Sequence, residues 1–204
     1  MSNVAILIPA AGSSSRMRGA DKLMETVDGE PMLRRIARLS LAASPYVFVT
    51  LPEGGPHALP RKSVLTGLDV RQILVADAHE GMAASLRAGA LAAGRRAVDG
   101  LMVVPADMPE LTAPDLITVA TIFEDEPETV LRATSSDYSP GHPVVFPLRL
   151  FTSLAILTGD RGAAKILDGE AARLLPLPGR HATTDLDSPE DWAEWRRARG
   201  KPAR

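Results

Sequence analysis

The sequence predicts an α/β fold with three layers, in which a mostly parallel sheet carries helices on both faces. Short apolar runs of strand length occur at residues 4–8, 46–50, 70–75 and 101–104. Segments with apolar residues at helical spacing lie between most of these runs. This alternation is typical of a parallel sheet whose crossovers are helices. The chain has 204 residues and 45% apolar residues, which is sufficient for one domain, residues 1–204, with a buried core.

Residues typical of helix starts, and apolar residues at helical spacing, predict the helices that cover the sheet. Pro31 opens the first helix, where Met32, Ile36 and Leu39 form an apolar stripe. Thr112 and Ser188 have the residue types that cap the start of a helix, so two later helices begin there. The other predicted helices cover residues 81–93, 147–157 and 161–167.

Three further strands complete the predicted sheet, at residues 129–133, 143–146 and 173–177. The segment 51–61 contains several Pro and Gly residues, which predicts a loop. The basic tail 196–204 is predicted to be frayed.

Composition excludes several classes of function. The formal net charge is −2, whereas a nucleic-acid-binding protein usually has a basic excess, so no nucleic-acid partner is expected. The absence of cysteine excludes disulfides, thiol catalysis and thiolate metal sites. No segment has the pattern of a signal peptide or the length of a membrane span, so we expect a cytoplasmic protein without a membrane partner.

The loop after the first strand has the composition of a phosphate-binding site. It contains an Ala-Ala-Gly sequence and three serines, followed by Arg16 and Lys22. Small residues let main-chain N–H groups approach a phosphate, and the two cations can neutralise it. The sequence matches neither the P-loop pattern nor the dinucleotide-binding pattern. The alternative for such a loop is a flexible surface segment with ordinary charges.

Asp107 follows the strand at 101–104, in the sequence Pro-Ala-Asp-Met-Pro. A carboxylate at the carboxyl end of a buried strand is suited to a divalent cation, and Mg²⁺ prefers a few carboxylates together with water and substrate phosphates. The alternative is an aspartate that starts the turn before Pro109.

These segments resemble the MobA-like nucleotidyltransferases, whose first loop has a similar order of small residues, Arg and Lys. The resemblance implies a Rossmann-like fold of the nucleotide-diphospho-sugar transferase type, with Mg²⁺ as cofactor. It implies that Asp107 and Asp187 bind the metal and that Arg16, Lys22 and Asp107 are the catalytic residues. Asp187 belongs to an Asp-Leu-Asp-Ser-Pro-Glu-Asp segment, which is also a common helix start. Arg18 stands where glycine is common in the family.

Two more segments resemble the cytidylyltransferase branch of this family. One is Gly-Met-Ala-Ala-Ser-Leu at residues 81–86, and the other is Gly-His-Pro at 141–143 followed by Gly-Asp-Arg-Gly at 159–162. The resemblance places the nucleotide in the N-terminal half of the domain and the acceptor in the C-terminal half, with His142, Asp160 and Arg161 on the acceptor. The predicted nucleotide-binding residues are Ala10, Ala11, Gly12, Ser13, Arg16, Lys22, Gly81, Ser85 and Asp107. For Ser85 the alternative is tight helix packing, and for His142 it is a structural role.

The implied reaction is transfer of CMP from CTP to molybdopterin, the organic part of the molybdenum cofactor, with release of pyrophosphate. The Ala-Ala-Gly sequence resembles CTP users, and the Cβ of Ala11 would crowd a purine. The spacing from Arg16 to Lys22 instead matches the GTP-using branch, so molybdenum cofactor guanylyltransferase is an alternative, as is another small-molecule cytidylyltransferase. A different class of function is a non-catalytic molybdopterin-binding chaperone. Transient contact with molybdoenzyme apoproteins is a further implied partnership.

Overall fold

A computed structural model describes residues 3–159 and 162–200 of the chain. Alternating strands and helices dominate it, as the sequence predicts. The strands are β1 (Val4–Pro9), β2 (Thr26–Val27), β3 (Glu30–Pro31), β4 (Val47–Pro52), β5 (Arg71–Val75), β6 (Gly100–Val103), β7 (Val130–Thr134), β8 (Pro140–Pro147) and β9 (Ala172–Pro176). The helices are α1 (Met32–Ala43), α2 (Ala58–Val64), α3 (Met82–Ala93), α4 (Ala113–Asp125), α5 (Phe151–Ala155), α6 (Ala164–Leu167) and α7 (Pro189–Arg199).

Seven strands form one mixed sheet in the order β5-β4-β1-β6-β8-β7-β9. The pairs β1–β4, β1–β6, β4–β5 and β7–β9 are parallel. β8 is antiparallel to both of its neighbours, β6 and β7. The mostly parallel α/β architecture is therefore confirmed, and its one reversed strand within the described residues is β8.

The alternation of side chains along β1 explains the three layers. Val4, Ile6 and Ile8 pack into the core on one face of the sheet, together with residues of α1, α4 and α7. Ala5 and Leu7 pack into the core on the other face, with residues of α3 and α5. Because successive strand residues point to opposite faces, an uninterrupted apolar strand must be covered by helices on both sides.

Both predicted helix caps are confirmed. The Thr112 hydroxyl accepts a hydrogen bond from the main-chain N–H of Asp115, and the Asp115 carboxylate accepts one from the N–H of Thr112. Ser188 and Asp191 form the same reciprocal pair at the start of α7. Each pair satisfies donors that the first helical turn would otherwise leave without partners.

The prediction of a loop over 51–61 is wrong at both ends, because β4 continues to Pro52 and α2 begins at Ala58. Pro60 does not prevent this helix, since it lies in the first turn, where an N–H group has no intrahelical acceptor. The segment predicted as a frayed tail, 196–204, overlaps α7, which continues through Arg199. The guanidinium of Arg196 stacks on Trp192 and pairs with Glu25, which anchors this last turn.

Within residues 3–159 and 162–200, none of the helices combines the length and the apolar character that a bilayer crossing requires.

Candidate active site

The candidate site lies at the edge of the sheet where the parallel strands end. The first loop follows the end of β1 at Pro9, and Asp107 follows the end of β6 at Val103. The reversed strand β8 instead begins at this edge, so Gly141 and His142 reach the same region. Ligands of open α/β sheets bind at this edge, because the loops of several strands meet there.

Arg61 organises the first loop. Its side chain has no exposed surface, and its guanidinium donates to the main-chain oxygens of Ala10 (2.8 Å) and Gly12 (2.6 Å). It also donates to the hydroxyl of Ser14 at 3.0 Å and to both carboxylate oxygens of Asp21 at 2.8 Å. A fully paired buried arginine fixes the path of the loop from residue 10 to residue 21.

The carboxylate of Asp21 is the anionic partner that permits this burial. Burial alone would raise the pKa of Asp21, but the hydrogen bonds and the positive charge of Arg61 more than offset it and lower the pKa. Asp21 also accepts from the N–H of Leu23, at the start of the turn that carries Lys22. The network therefore sets the position of Lys22. Sequence analysis missed Arg61 and Asp21, because neither has a local pattern that indicates burial.

Two loop residues adopt left-handed backbone conformations, Ser14 with φ of 50° and Arg18 with φ of 53°. Glycine adopts this conformation without steric cost, which is consistent with the glycine that the family resemblance implies at the position of Arg18. The guanidinium of Arg18 pairs with Glu190 on α7 at 2.8 Å.

Two aspartates that are distant in sequence meet at Lys22. The Nζ of Lys22 lies 2.5 Å from Oδ2 of Asp107 and 2.7 Å from Oδ1 of Asp187. Arg16 completes the cluster, with its guanidinium 2.7 Å from Oδ2 of Asp187. Arg16 is 70% exposed, whereas the other three side chains are mostly buried. The structure therefore brings together four of the residues that sequence analysis assigned to catalysis and metal binding.

The cluster is held by local structure on both sides. The main-chain N–H of Leu186 donates to the main-chain oxygen of Asp107 at 3.1 Å, and this bond links the segments that carry the two aspartates. The N–H of Asp187 donates to Asp191, inside the cap of α7. Burial would lower the pKa of Lys22, but Asp107 and Asp187 outweigh this effect and raise it. Lys22 is therefore a cation at neutral pH.

The donor set fits a hard divalent cation. Oδ1 of Asp107 is buried and has no hydrogen-bond partner among the described residues, so it retains lone pairs for a ligand. In residues 3–159 and 162–200, no group of three or more His, Cys, Asp and Glu side chains has the arrangement of a closed metal site. Two carboxylates with room for substrate oxygens are the arrangement that Mg²⁺ uses when it binds together with phosphates.

The first loop, the start of α3 and Asp107 enclose a cavity of about 130 Å³, here called the loop cavity. Six of the predicted nucleotide-binding residues line it: Ala10, Gly12, Lys22, Gly81, Ser85 and Asp107. Arg16 lies instead in the neighbouring cleft. Ser13 is exposed, and its main-chain oxygen lies 3.1 Å from Nε2 of His57.

Two of the predicted nucleotide contacts have structural partners. Ala11 is buried in an apolar cluster with Val75 and Ala84, and it is not among the residues that line the loop cavity. The expected crowding of a purine by the Ala11 side chain is therefore without support from its position. The hydroxyl of Ser85 is buried and accepts a hydrogen bond from Thr50 at 3.0 Å. Ser85 thus contributes to helix–sheet packing as well as to the cavity wall.

A larger opening of about 380 Å³, here called the acidic cleft, adjoins the aspartate pair. Asp185, Arg132 and His142 line it together with Lys22, Arg16, Asp107 and Asp187. Burial and the negative charges of Asp107 and Asp187 raise the pKa of Asp185. Burial is the larger cause, and the two neighbouring carboxylates add to it.

Next to the acidic cleft lies a third space of about 280 Å³, here called the apolar cavity. Its walls include Met82, Leu86, Val103, Val144, Phe146 and Leu167. Arg132 and His142 belong to the linings of both spaces, so they stand where the cleft and the apolar cavity meet.

His142 is held in its neutral form. Burial, followed by the positive charge of Arg132, lowers its pKa from 6.5 to about 4. Its Nδ1 atom is buried and has no hydrogen-bond partner among the described residues. His142 thus lies on the predicted acceptor side but supplies no positive charge there at neutral pH. The other two predicted acceptor residues, Asp160 and Arg161, lie outside the described residues.

A family model and two curated relatives match most of this chain. The model of the MobA-like NTP transferase domain matches residues 6–175 of the chain. A Synechococcus elongatus protein named "Probable molybdenum cofactor guanylyltransferase" is 28% identical over 194 residues, which cover 93% of this chain and 96% of that protein. The purine catabolism protein PucB of Bacillus subtilis is 28% identical over 202 residues, with 93% and 94% covered.

Solved structures agree with the fold. The crystal structure of Rv0371c from Mycobacterium tuberculosis superposes with a TM-score of 0.74 at 24% identity, covering 96% of this chain and 98% of that one. A manganese complex of the same protein has a TM-score of 0.71. Since the family model covers most of the chain, the protein belongs to the family of the MobA-like NTP transferase domain.

Proposed function

We propose that this protein transfers a nucleoside monophosphate from a nucleoside triphosphate to a phosphate group of a small-molecule acceptor, in a reaction that requires Mg²⁺ and releases pyrophosphate. The observation that supports this most strongly is the cluster of Lys22, Arg16, Asp107 and Asp187. It combines two cations suited to a triphosphate with two carboxylates suited to a metal, beside the loop cavity.

The chemistry needs little from the protein beyond position and charge. An oxygen of the acceptor phosphate attacks the α-phosphorus in line, a new O–P bond forms, and the bond to the β-phosphate oxygen breaks. The acceptor phosphate is already ionised at neutral pH, so no general base is required. This agrees with a cleft whose His142 is neutral and has a pKa of about 4.

Lys22 and Arg16 neutralise the charge that accumulates on the departing pyrophosphate. Both cations pair with aspartates, and the phosphates of the substrate would offer them an alternative set of anionic partners. Mg²⁺ bound by Asp107 and Asp187 would supply Lewis-acid stabilisation of the phosphate oxygens. The network around Arg61 keeps the loop in position before substrate binds, so little ordering entropy remains to be lost.

For the substrates we propose CTP and molybdopterin. Molybdopterin is supported by the names of the cyanobacterial relatives, which are molybdenum cofactor guanylyltransferases. CTP is supported by the likeness of the first loop to CTP users. GTP is a second candidate, because those relatives are named as guanylyltransferases and because Ala11 points into an apolar cluster instead of the loop cavity.

The test is pyrophosphate release with Mg²⁺, molybdopterin and each of CTP, GTP, ATP and UTP. We expect release with one nucleotide well above the others. Asp107→Asn should reduce turnover by about a thousandfold or more, because it removes the charge that binds the metal. Asp125→Asn, an exposed aspartate at the end of α4, is the matched control and should retain full activity.

Two outcomes contradict the proposal. Near-normal release by Asp107→Asn would refute the metal assignment. No release with any nucleotide, together with measurable molybdopterin binding, would identify a non-catalytic carrier instead of a transferase.

A further inference from the structure

We propose that the apolar cavity holds the organic body of the acceptor and that Arg132, at the mouth of this cavity, binds the acceptor's phosphate. This inference rests on the proposed function and adds to it the chemical class of the acceptor: a phosphate monoester of a compact ring system. Three observations support it, namely the free donors of Arg132, the chemistry of the cavity wall and the state of the neighbouring cations.

The guanidinium of Arg132 has hydrogen-bond donors without a protein acceptor among the described residues. It lies on β7, half-buried, and its Nε donates to the main-chain oxygen of Gly141 at 3.2 Å. That bond fixes the orientation of the guanidinium, while its two terminal nitrogens have no protein acceptor in the described part of the chain. No carboxylate of residues 3–159 and 162–200 forms an ion pair with it. A planar guanidinium with two free nitrogens matches two oxygens of a phosphate.

The other cations near the cleft are already engaged. Lys22 bridges Asp107 and Asp187, and Arg16 pairs with Asp187. The guanidinium of Arg61 is fully hydrogen-bonded inside the first loop. His142 is buried and neutral, and so adds a polar edge but no charge. Among the described residues, Arg132 is the one cationic side chain that lines both the acidic cleft and the apolar cavity.

The cavity beyond Arg132 is suited to a compact ring. Aliphatic side chains and Phe146 form most of its wall, to which Asp168 also contributes. Its volume of about 280 Å³ would admit a small ring system. A ligand with its ring in the cavity would have its phosphate near Arg132 and thus at the border of the acidic cleft. The phosphate would then face the aspartate pair, where the proposed reaction takes place.

The experiment measures binding without nucleotide, by isothermal titration calorimetry with 1-naphthyl phosphate and with 1-naphthol. We expect the wild type to bind the phosphate more tightly than the alcohol. Arg132→Gln should weaken binding of 1-naphthyl phosphate about tenfold or more and leave 1-naphthol unchanged. Leu167→Trp, which fills part of the cavity, should weaken both probes.

Arg173→Gln is the matched control. Arg173 lies on the neighbouring strand β9 opposite Leu131, on the other face of the sheet, where it pairs with Glu126. It should bind both probes as the wild type does. The inference is overturned if the wild type binds the phosphate no better than the alcohol, or if Arg132→Gln leaves the affinity for the phosphate unchanged.

A kinetic measurement separates this inference from the proposed function. In an active preparation, Arg132→Gln should raise the KM for the acceptor and leave the Kd for the nucleoside triphosphate unchanged. If no acceptor gives turnover, the proposed function fails while the binding experiment still decides the role of Arg132. If the Kd for the triphosphate rises as much as the KM for the acceptor, Arg132 belongs to the nucleotide side and the inference is wrong.

Discussion

The two arginines on either side of the site differ in how completely they are paired. The guanidinium of Arg61 donates hydrogen bonds to both carboxylate oxygens of Asp21, and the side chain has no surface in contact with solvent. Among the described residues, the side chain of Arg132 makes one hydrogen bond, and it lines two open spaces. The same side chain therefore serves as internal scaffold in one region and as a receptor for anions in the other. What distinguishes the roles is the number of donors that the folded chain leaves without acceptors.

Removing the scaffold should have the largest effect. Arg61→Ala leaves the carboxylate of Asp21 buried without its cation, so we expect a loss of about 3–5 kcal/mol in the free energy of unfolding. Urea denaturation of the variant and of the wild type measures this loss.

The exposed neighbour Lys62 provides the control for Arg61, since Lys62→Ala should change the stability by less than about 0.5 kcal/mol. Arg61→Lys keeps the charge but loses the fork that joins Asp21 to the loop oxygens, so we expect an intermediate loss. If Arg61→Ala proves as stable as Lys62→Ala, the contrast between the two arginines has no energetic basis.

The buried histidine His142 should make stability depend on pH. The pKa of His142 is about 4 in the folded protein and 6.5 in the ordinary case, so the unfolded chain binds this proton more readily. Its contribution is complete above pH 6.5 and declines as the pH falls towards 4, by up to about 3 kcal/mol.

Measuring the unfolding free energy at pH 7, 5.5 and 4.5 tests this slope. His142→Gln should reduce the decline, because glutamine does not titrate. His79→Gln, at an exposed histidine, should leave the decline as it is. Equal slopes in the two variants would show that His142 does not titrate in the way its burial implies.

The close approach of β8 to the loop after β9 gives a smaller effect. A Cβ added to Gly141 would lie 1.8 Å from the main-chain oxygen of Ala182, and the same oxygen accepts a hydrogen bond from the N–H of His142. Gly141→Ala should therefore cost about 1–3 kcal/mol and raise the KM for the acceptor more than that for the nucleotide.

Gly54→Ala is the matched control, because the added methyl would have no neighbour within 4 Å. Thermal unfolding of the two variants measures the difference in stability. A Gly141→Ala protein with unchanged stability and unchanged acceptor KM would show that this contact does not shape the acceptor side.

Much of the fold was predictable, because its determinants are local. The apolar run of β1 and the caps at Thr112 and Ser188 indicate their elements directly. Helix α2 was not predictable, because proline is common both in loops and in the first turn of a helix, where Pro60 lies. The proximity of Asp107 and Asp187 followed from family resemblance and not from spacing.

Other parts of the site depend on the folded state. Arg61 and Arg132 are ordinary cations in the sequence, and only tertiary burial separates the saturated one from the one with free donors. The neutral state of His142 likewise requires its desolvated surroundings and the nearby Arg132. For Ala11 the sequence suggested a steric contact with the base of the nucleotide. The side chain instead packs against Val75 and Ala84.

The reversal of β8 has a consequence for how such a protein can diversify. Because this strand runs against its neighbours, its first residues arrive at the edge that also bears the first loop, although the two segments are more than a hundred positions apart in the chain. In the proposed function, donor recognition and acceptor recognition are thereby encoded in separate stretches of sequence. We therefore expect substitutions around residues 132–144 to change the affinity for the acceptor and to leave the Kd for the nucleoside triphosphate unchanged.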